Sequence, residues 1–331
     1  MKQKQLRNKG RCLHFDGDHR CKEIINAHSI QKNQSLEALS ENGHVYRLSP
    51  DFSAVKKNKG RVSFEKCGIN QVSTFLGFCK KHDNDLFEPI DNLPLIPTDQ
   101  QVLLYAYRSL CREVFVKENA LGLYKNLLGD IPDSNPIRDF FMDMKSGTEF
   151  GLKNLLRHKE EYDNSLRGKA YSDIQYVLFS TDQNPFIAFS GLLYPDFDFM
   201  GRQLQNLGDH NQKLDLITFC TAPVVSGWSV LFSWHNTSSK TCQEFMRSLA
   251  TKMYDGERLG DLLFRMAISN CENLAIAPKW WESLRDDHKN HISTMANIRA
   301  NIFSQTRPTY LLKGLEGIAP WEFVSVIDKM E

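Results

Sequence analysis

Nine of the chain's 18 cysteine and histidine residues fall in the first 88 of its 331 positions: Cys12, His14, His19, Cys21, His28, His44, Cys67, Cys79 and His82. Thiolate sulfur and imidazole nitrogen are the donors that tetrahedral Zn²⁺ prefers, usually as two pairs that are each local in sequence. Cys79-Lys80-Lys81-His82 is one such pair. Its spacing of three places both side chains on one face of a helix. The residues that follow, Asp83, Asn84, Asp85, Leu86 and Phe87, predict a short helix ending before Pro89. Asp83 and Asp85 suit the positive end of that helix's dipole. Cys12 and Cys21 form the other pair, with a turn at Asp16-Gly17 between them. Their loop is longer than the roughly two to four residues of a zinc knuckle, so His14 or His19 could replace a cysteine, and Cys67 is a further candidate. Cys111, Cys220, Cys242 and Cys271 lie in apolar periodic segments and read as core residues. A small polar segment with few large apolar residues needs a staple such as Zn²⁺ to fold.

The hook needs elements to hold its halves together. Ile30–Glu41 predicts a helix with Ile30, Leu36 and Leu39 on one face, ending at the C-cap signal Asn42-Gly43. A loop follows from Leu48 to Gly60, with the basic run Lys56-Lys57-Asn58-Lys59-Gly60. Pro89, Pro94 and Pro97 mark an extended linker and the best domain boundary. Beyond it, Thr98-Asp99-Gln100-Gln101 resembles a capping box. Apolar residues then recur at helical spacing over 102–123 and 136–162, which predicts an antiparallel helical hairpin. The period next changes. Ile174–Ser180, Phe186–Leu193, Leu216–Ala222 and Trp228–His235 are short, rich in β-branched and aromatic residues, and bounded by turn signals. They predict a four-stranded, mainly antiparallel sheet, followed by helices near 238–253, 259–270 and 286–303. The fold class is α+β: a small metal-stapled module at 1–88, a linker at 89–98 and a larger body at 99–331.

Composition narrows the function classes. The chain is 41% hydrophobic and 24% charged, the balance of a globular protein. It has no apolar run of about 18 residues, so no membrane-spanning helix is expected. The basic start MKQKQLRNKGRC has no apolar segment behind it, which predicts an intracellular, cytoplasmic protein. Eight cysteines in such a compartment read as metal ligands where clustered rather than as disulfides. The net charge of +1 conceals an asymmetry: residues 1–82 carry +9 and the remainder −8. A basic module on an acidic body points to an anionic partner, most commonly nucleic acid, or to two parts that neutralise each other across an interface.

The order Cys12…Cys21, Asn26-Ala27-His28-Ser29-Ile30 and Cys79-Lys80-Lys81-His82-Asp83 resembles the HNH family of nucleases, whose zinc-bearing members have a treble-clef (His-Me finger) fold. The resemblance covers about 80 residues and none of the body. It implies structural zinc on Cys12, Cys21, Cys79 and His82. It also implies His28 as the general base that activates water, and Asp83 as a ligand for a catalytic Mg²⁺ or Mn²⁺. The chain departs from the family at Ala27, where members usually carry an acid, and at Thr74, where an Asn is expected. The implied activity is metal-dependent endonuclease cleavage of DNA or RNA, and modules of this kind joined to an unfamiliar body are often bacterial antiviral defence effectors.

A reading of another class is a non-catalytic protein in which zinc only folds the module and its basic surface recognises nucleic acid or a protein partner. Ala27 favours this version, and there His28 caps the next helix or serves as a zinc ligand. The body would regulate, recognise a partner or form a homo-oligomer. A third reading places activity in the sheet, at Asp196, Asp198 and His235. The Asp196-Phe197-Asp198 pair reads more simply as a turn with solvated acids, and Lys279-Trp280-Trp281-Glu282 as a helix anchor with Pro278 in its first turn. The chain has no Gly-rich phosphate loop and no G-x-S-x-G.

Overall fold

The computed structural model describes residues 10–17, 21–49, 61–298 and 306–330. His19, the Lys56–Gly60 run and the end of the helix expected at 286–303 lie outside these residues. The described elements are helices and antiparallel sheets, in keeping with an α+β class.

In the N-terminal part, β1 (Ile24–His28) pairs antiparallel with β4 (Thr74–Cys79), Ile24 facing Cys79 and His28 facing Thr74. β4 runs without a break into α2 (Lys80–Asp91). The helix expected over Ile30–Glu41 is instead a π-helical turn, Lys32–Leu36, followed by one short α-helical turn, α1 (Glu37–Leu39). Asn42-Gly43 is not a helix cap. Both residues have positive φ, 50° and 71°, and they form a tight reversal between the bridged pair Glu41 and His44. Asn-Gly is the preferred pair for a two-residue hairpin turn. The reversal leads into β2 (His44–Leu48), which pairs with β3 (Phe64–Gly68).

The helix expected to stop before Pro89 continues through it to Asp91. Proline interrupts one intrahelical bond, but here only the last turn is affected. Two glutamines satisfy the freed terminal carbonyls: Gln101 donates to the Pro89 oxygen at 3.0 Å, and Gln31 to those of Ile90 and Asp91 at 2.6 and 2.9 Å. The rest of the linker is extended and docked, with the Leu95 N–H donating to the Pro223 carbonyl at 2.7 Å.

Thr98 caps α3 (Asp99–Asp130), its hydroxyl accepting the Gln101 N–H at 3.3 Å. With α4 (Ile137–Gly168), α3 forms the expected antiparallel hairpin. The first half of α3 reads VLLYAYRSLC and is buried on every side, as its apolar circumference requires.

The hairpin lies on one face of a sheet that contains β5 (Ile174–Thr181), β6 (Ile187–Leu193), β7 (Ile217–Val224) and β8 (Gly227–His235), the four expected strands. Alternate residues divide the packing. Leu178, Cys220 and Leu231 face the hairpin core, while Val177, Phe219 and Phe232 face α5 (Ser239–Tyr254) and α6 (Leu259–Asn270). A sheet covered on both faces needs apolar residues at consecutive positions.

Among the described residues the sheet has eight strands rather than four, in the order β10-β5-β8-β7-β6-β9-β2-β3. The additions from the body are β9 (Leu274–Ile276) and β10 (Ser325–Lys329). β2 and β3 join from the N-terminal part through Tyr46, which faces Ile276. The sheet thus crosses the expected linker. Leu36, Leu39, Val45 and Val72 of the first segment share a buried cluster with Ala188, Trp228 and Ala275 of the second. Between β9 and β10 lie α7 (Pro278–Ser283) and α8 (Asp286–Ala296). Among the described residues no helix is long and apolar enough to cross a membrane.

Candidate metal centre

Two backbone tracks converge on the start of α2. The segment Arg11–Leu13 runs beside β4, with Arg11 N–H donating to the Leu76 carbonyl at 3.0 Å and Leu13 N–H to that of Gly77 at 2.8 Å. This lays Cys12 next to Cys79. The loop then turns back at Gly17, whose N–H donates to the His14 carbonyl at 2.7 Å. A Cβ at Gly17 would come within 2.8 Å of that oxygen, so a larger residue would force the turn open. The chain re-enters at Cys21, and Glu23 accepts the Lys80 N–H at 3.1 Å, fixing the approach to α2.

The result is a Cys3His group. One donor atom from each of Cys12, Cys21, Cys79 and His82 lies within 4.8 Å of every other. His82 presents Nδ1, which is 3.3 Å from the Cys12 sulfur and 3.4 Å from that of Cys21. Ideal Zn–S and Zn–N bonds at the tetrahedral angle put sulfur and nitrogen about 3.5 Å apart. The donor types and these separations therefore fit a metal ion such as zinc. Burial pushes the Cys12 thiol up to about 11, against backbone hydrogen bonds from Cys79 and His14 that favour the thiolate. A bound cation would stabilise the thiolate further.

His14 does not join the group. Its ring stacks on His82 at 4.1 Å and on Phe15 at 4.1 Å, and its Nδ1 accepts the Asp16 N–H at 3.0 Å. Burial, with the neighbouring His82, lowers it to about 4. Cys67 is remote on β3, where its thiol faces the Gly68 carbonyl and the Gln71 amide. The long hairpin grips the ligand loop from outside: the Tyr107 hydroxyl donates to the Leu13 carbonyl at 2.9 Å, and Arg167 donates to that of Phe15 at 3.0 Å. Beside the cluster is an open depression of about 510 Å³, with Lys22, Lys80 and Lys81 among its walls and Asp16 and Glu23 opposing them.

His28 and Asp83 sit farther along the β1–β4–α2 unit. His28 closes β1, its Nε2 is 3.4 Å from the Ile69 carbonyl, and burial holds its pKa below the usual 6.5. The next residue is tied down on both sides. Ser29 Oγ is 2.7 Å from Ser73 Oγ and accepts from the Asn273 amide of the body at 2.9 Å. Asp83 stands in the first turn of α2. Its Oδ1 is buried with no hydrogen-bond partner, and burial raises the carboxyl to about 6 against the pull of Arg108.

Arg108 and Asp91 are the residues that motif reading missed. Arg108 is 2% exposed and donates to both Asp91 oxygens at 2.7 Å, with its guanidinium 4.1 Å from the Phe87 ring centre. The charges of this pair reach both His28 and Asp83. The signal was present in VLLYAYRSLC: one arginine among residues that must all be buried requires an opposite charge to pair with.

The remaining candidates take structural roles. Asp196 and Asp198 are not solvated; they are 6% and 0% exposed. Asp198 accepts the N–H groups of Met200 and Arg202 and the Arg202 side chain, so it organises its turn. His235 lies in a polar network, with Nε2 3.2 Å from Ser165 Oγ and Nδ1 3.0 Å from Thr237 Oγ1. Trp280 packs 4.4 Å from Phe186, and Trp281 is buried, which anchors α7. Compared with known proteins, the chain matches no protein-family model, no curated protein and no solved structure.

Proposed function

We propose that the first 88 residues act as a zinc-stapled, HNH-like module of the treble-clef type that binds nucleic acid and cleaves it with the help of a divalent metal ion. One arrangement carries this reading. β1 ends in His28, pairs with β4, and β4 leads directly into the helix that bears Asp83, while the Cys3His group holds the base of that unit. Burial keeps the His28 imidazole neutral near pH 7, the form that takes a proton from water. The unpartnered Asp83 oxygen suits a Mg²⁺ or Mn²⁺ ion, which when bound would stabilise charge on the leaving oxygen. The +9 charge of residues 1–82 supplies attraction for the phosphate backbone.

A second reading rests on Arg108. Its guanidinium already supplies positive charge beside Asp83 and Asp91, and Ala27 is buried where the family carries an acid. In that version the zinc group is structural, and the lysines around the depression meet nucleic acid or an acidic partner without cleaving it. One paired experiment separates the two. Zinc is measured on the purified protein by mass spectrometry, and plasmid and RNA cleavage with Mg²⁺ or Mn²⁺ is compared for wild type and His28→Ala. The nuclease reading expects about one zinc per chain and a loss of roughly 100-fold or more in the variant. Bound zinc with cleavage absent, or unaffected by His28→Ala, leaves the binding reading; absence of zinc removes both.

A further inference from the structure

The two edges of the eight-stranded sheet are finished differently. β3 carries Glu65 and Lys66 at its middle, paired with Arg47 and Glu282, each at 3.0 Å. Charges on an edge strand oppose further strand addition. β10 has no such charges at its centre. Its inner side is fixed to β5 over five residue pairs, from Ser325 facing Ser180 to Lys329 facing Tyr176. Its end is anchored by the Lys329–Asp99 ion pair at 2.8 Å and by the Gln243 amide on the Met330 carbonyl. β10 is a presented strand, and its outer edge has no neighbour among the described residues. Apolar side chains stand in the open there: Val324 is 67% exposed, Val326 58% and Ile327 43%. Successive residues of a strand point to opposite faces, so both faces of this edge lack cover.

We propose that β10 is a dimer interface, pairing antiparallel with β10 of a second copy about a two-fold axis at Val326 and joining the two sheets into one. A two-fold axis that exchanges antiparallel neighbours in one sheet must set some residue opposite itself. Centring on Val326 places valine against valine, Ser325 against Ile327, Val324 against Asp328 and Phe323 against Lys329, with no like charges opposed. Centring on Ser325 would oppose Glu322 and Asp328, and centring on Asp328 would oppose two carboxylates; centring on Ile327 opposes no like charges but sets Val326, the more exposed of the two apolar residues, against Asp328. Pairing of β10 with β3 of another copy would be head-to-tail and open-ended, and the charged middle of β3 resists it. Nucleic acid is a poor occupant, because Glu322 and Asp328 outnumber Lys329 along this edge. An extended strand supplies what the edge lacks, main-chain hydrogen bonds and apolar cover. The inference is independent of any nuclease activity.

The test uses the 331-residue, metal-loaded protein in sedimentation velocity, up to about 100 μM. Wild type is expected to show a concentration-dependent dimer. Val326→Lys, which sets two ammonium groups across the axis, is expected to weaken it at least tenfold without changing circular dichroism or metal content. Because position 326 meets itself, Val326→Cys is expected to cross-link in one step under mild oxidation, where wild type and Val225→Cys, a control in the turn between β7 and β8 that is 73% exposed, do not. A wild type that stays monomeric, a dimer indifferent to Val326→Lys, or a Val326→Cys protein that cross-links no better than Val225→Cys would each overturn the proposal.

Discussion

At the scale of single residues, the centre is defined by donor chemistry and by what surrounds each donor. Cys79 and His82 are neighbours by helical geometry, and they need the Cys12 and Cys21 loop to complete four donors. Removing one sulfur leaves a site short of the coordination zinc prefers. Cys79→Ser is expected to reduce bound zinc from about one per chain to a small fraction and to lower the melting temperature, both read on the same preparation. His28 and Asp83 were named only through the resemblance to the HNH family, from the order Cys12…Cys21, His28 and Cys79-Lys80-Lys81-His82-Asp83. Their environment was not legible, because Arg108 and Asp91 come from α3 and the end of α2. Conversely, Asp196 and Asp198 looked like solvent-facing acids, and only burial revealed them as the organisers of a turn.

At the scale of elements, the same residues act through caps and networks. Thr98→Ala removes the N-cap of α3 and is expected to cost about 1 kcal/mol in urea unfolding, with no loss of bound metal. In α4, Glu161 receives His158 at 3.1 Å, Lys213 at 2.7 Å and Thr237 at 2.9 Å. Burial opposes its ionisation, but these donors prevail and hold the carboxyl at about 2, below its ordinary 4.5. A depressed carboxyl contributes stability that is complete above the ordinary value and is lost as pH falls toward the folded one. The melting-temperature difference between wild type and Glu161→Gln is therefore expected to be largest at neutral pH and to shrink between 4.5 and 2. A difference that grows on acidification would contradict the assignment. The strands over 174–235 were readable from sequence within two residues, and the hairpin helices by existence and start, although each runs six or seven residues beyond its expected end. The Ile30–Glu41 segment was not, because its apolar spacing fits a helix while Asn42-Gly43 closes a hairpin turn instead.

At the scale of the whole molecule, the two expected parts share a sheet and a buried cluster. Leu36 and Val45 are fully buried against the body. Burying an aliphatic side chain of this size is worth about 1.5–3 kcal/mol, so a fragment starting at residue 99 would expose an apolar face that the full chain covers. Such a fragment is expected to melt lower than the full chain and to bind a hydrophobic dye, as followed by fluorescence. Equal melting temperatures would show that the body does not need this cover. The hairpin contributes at this scale too, since Tyr107 and Arg167 hold the ligand loop that carries Cys12.

What the sequence determined by itself was local: the helix and strand periods, the Thr98 cap, the Cys79–His82 spacing and the donor types able to bind zinc. These follow from side-chain chemistry and from repeats only a few residues long. The tertiary structure decided what depends on distant pairing. It brought the Cys12 loop to the start of α2, docked β2 on the three-residue β9, and set the charges of the Arg108–Asp91 pair within electrostatic reach of His28 and Asp83. No local pattern encodes such contacts, because their energy comes from surfaces that meet only after the chain has folded.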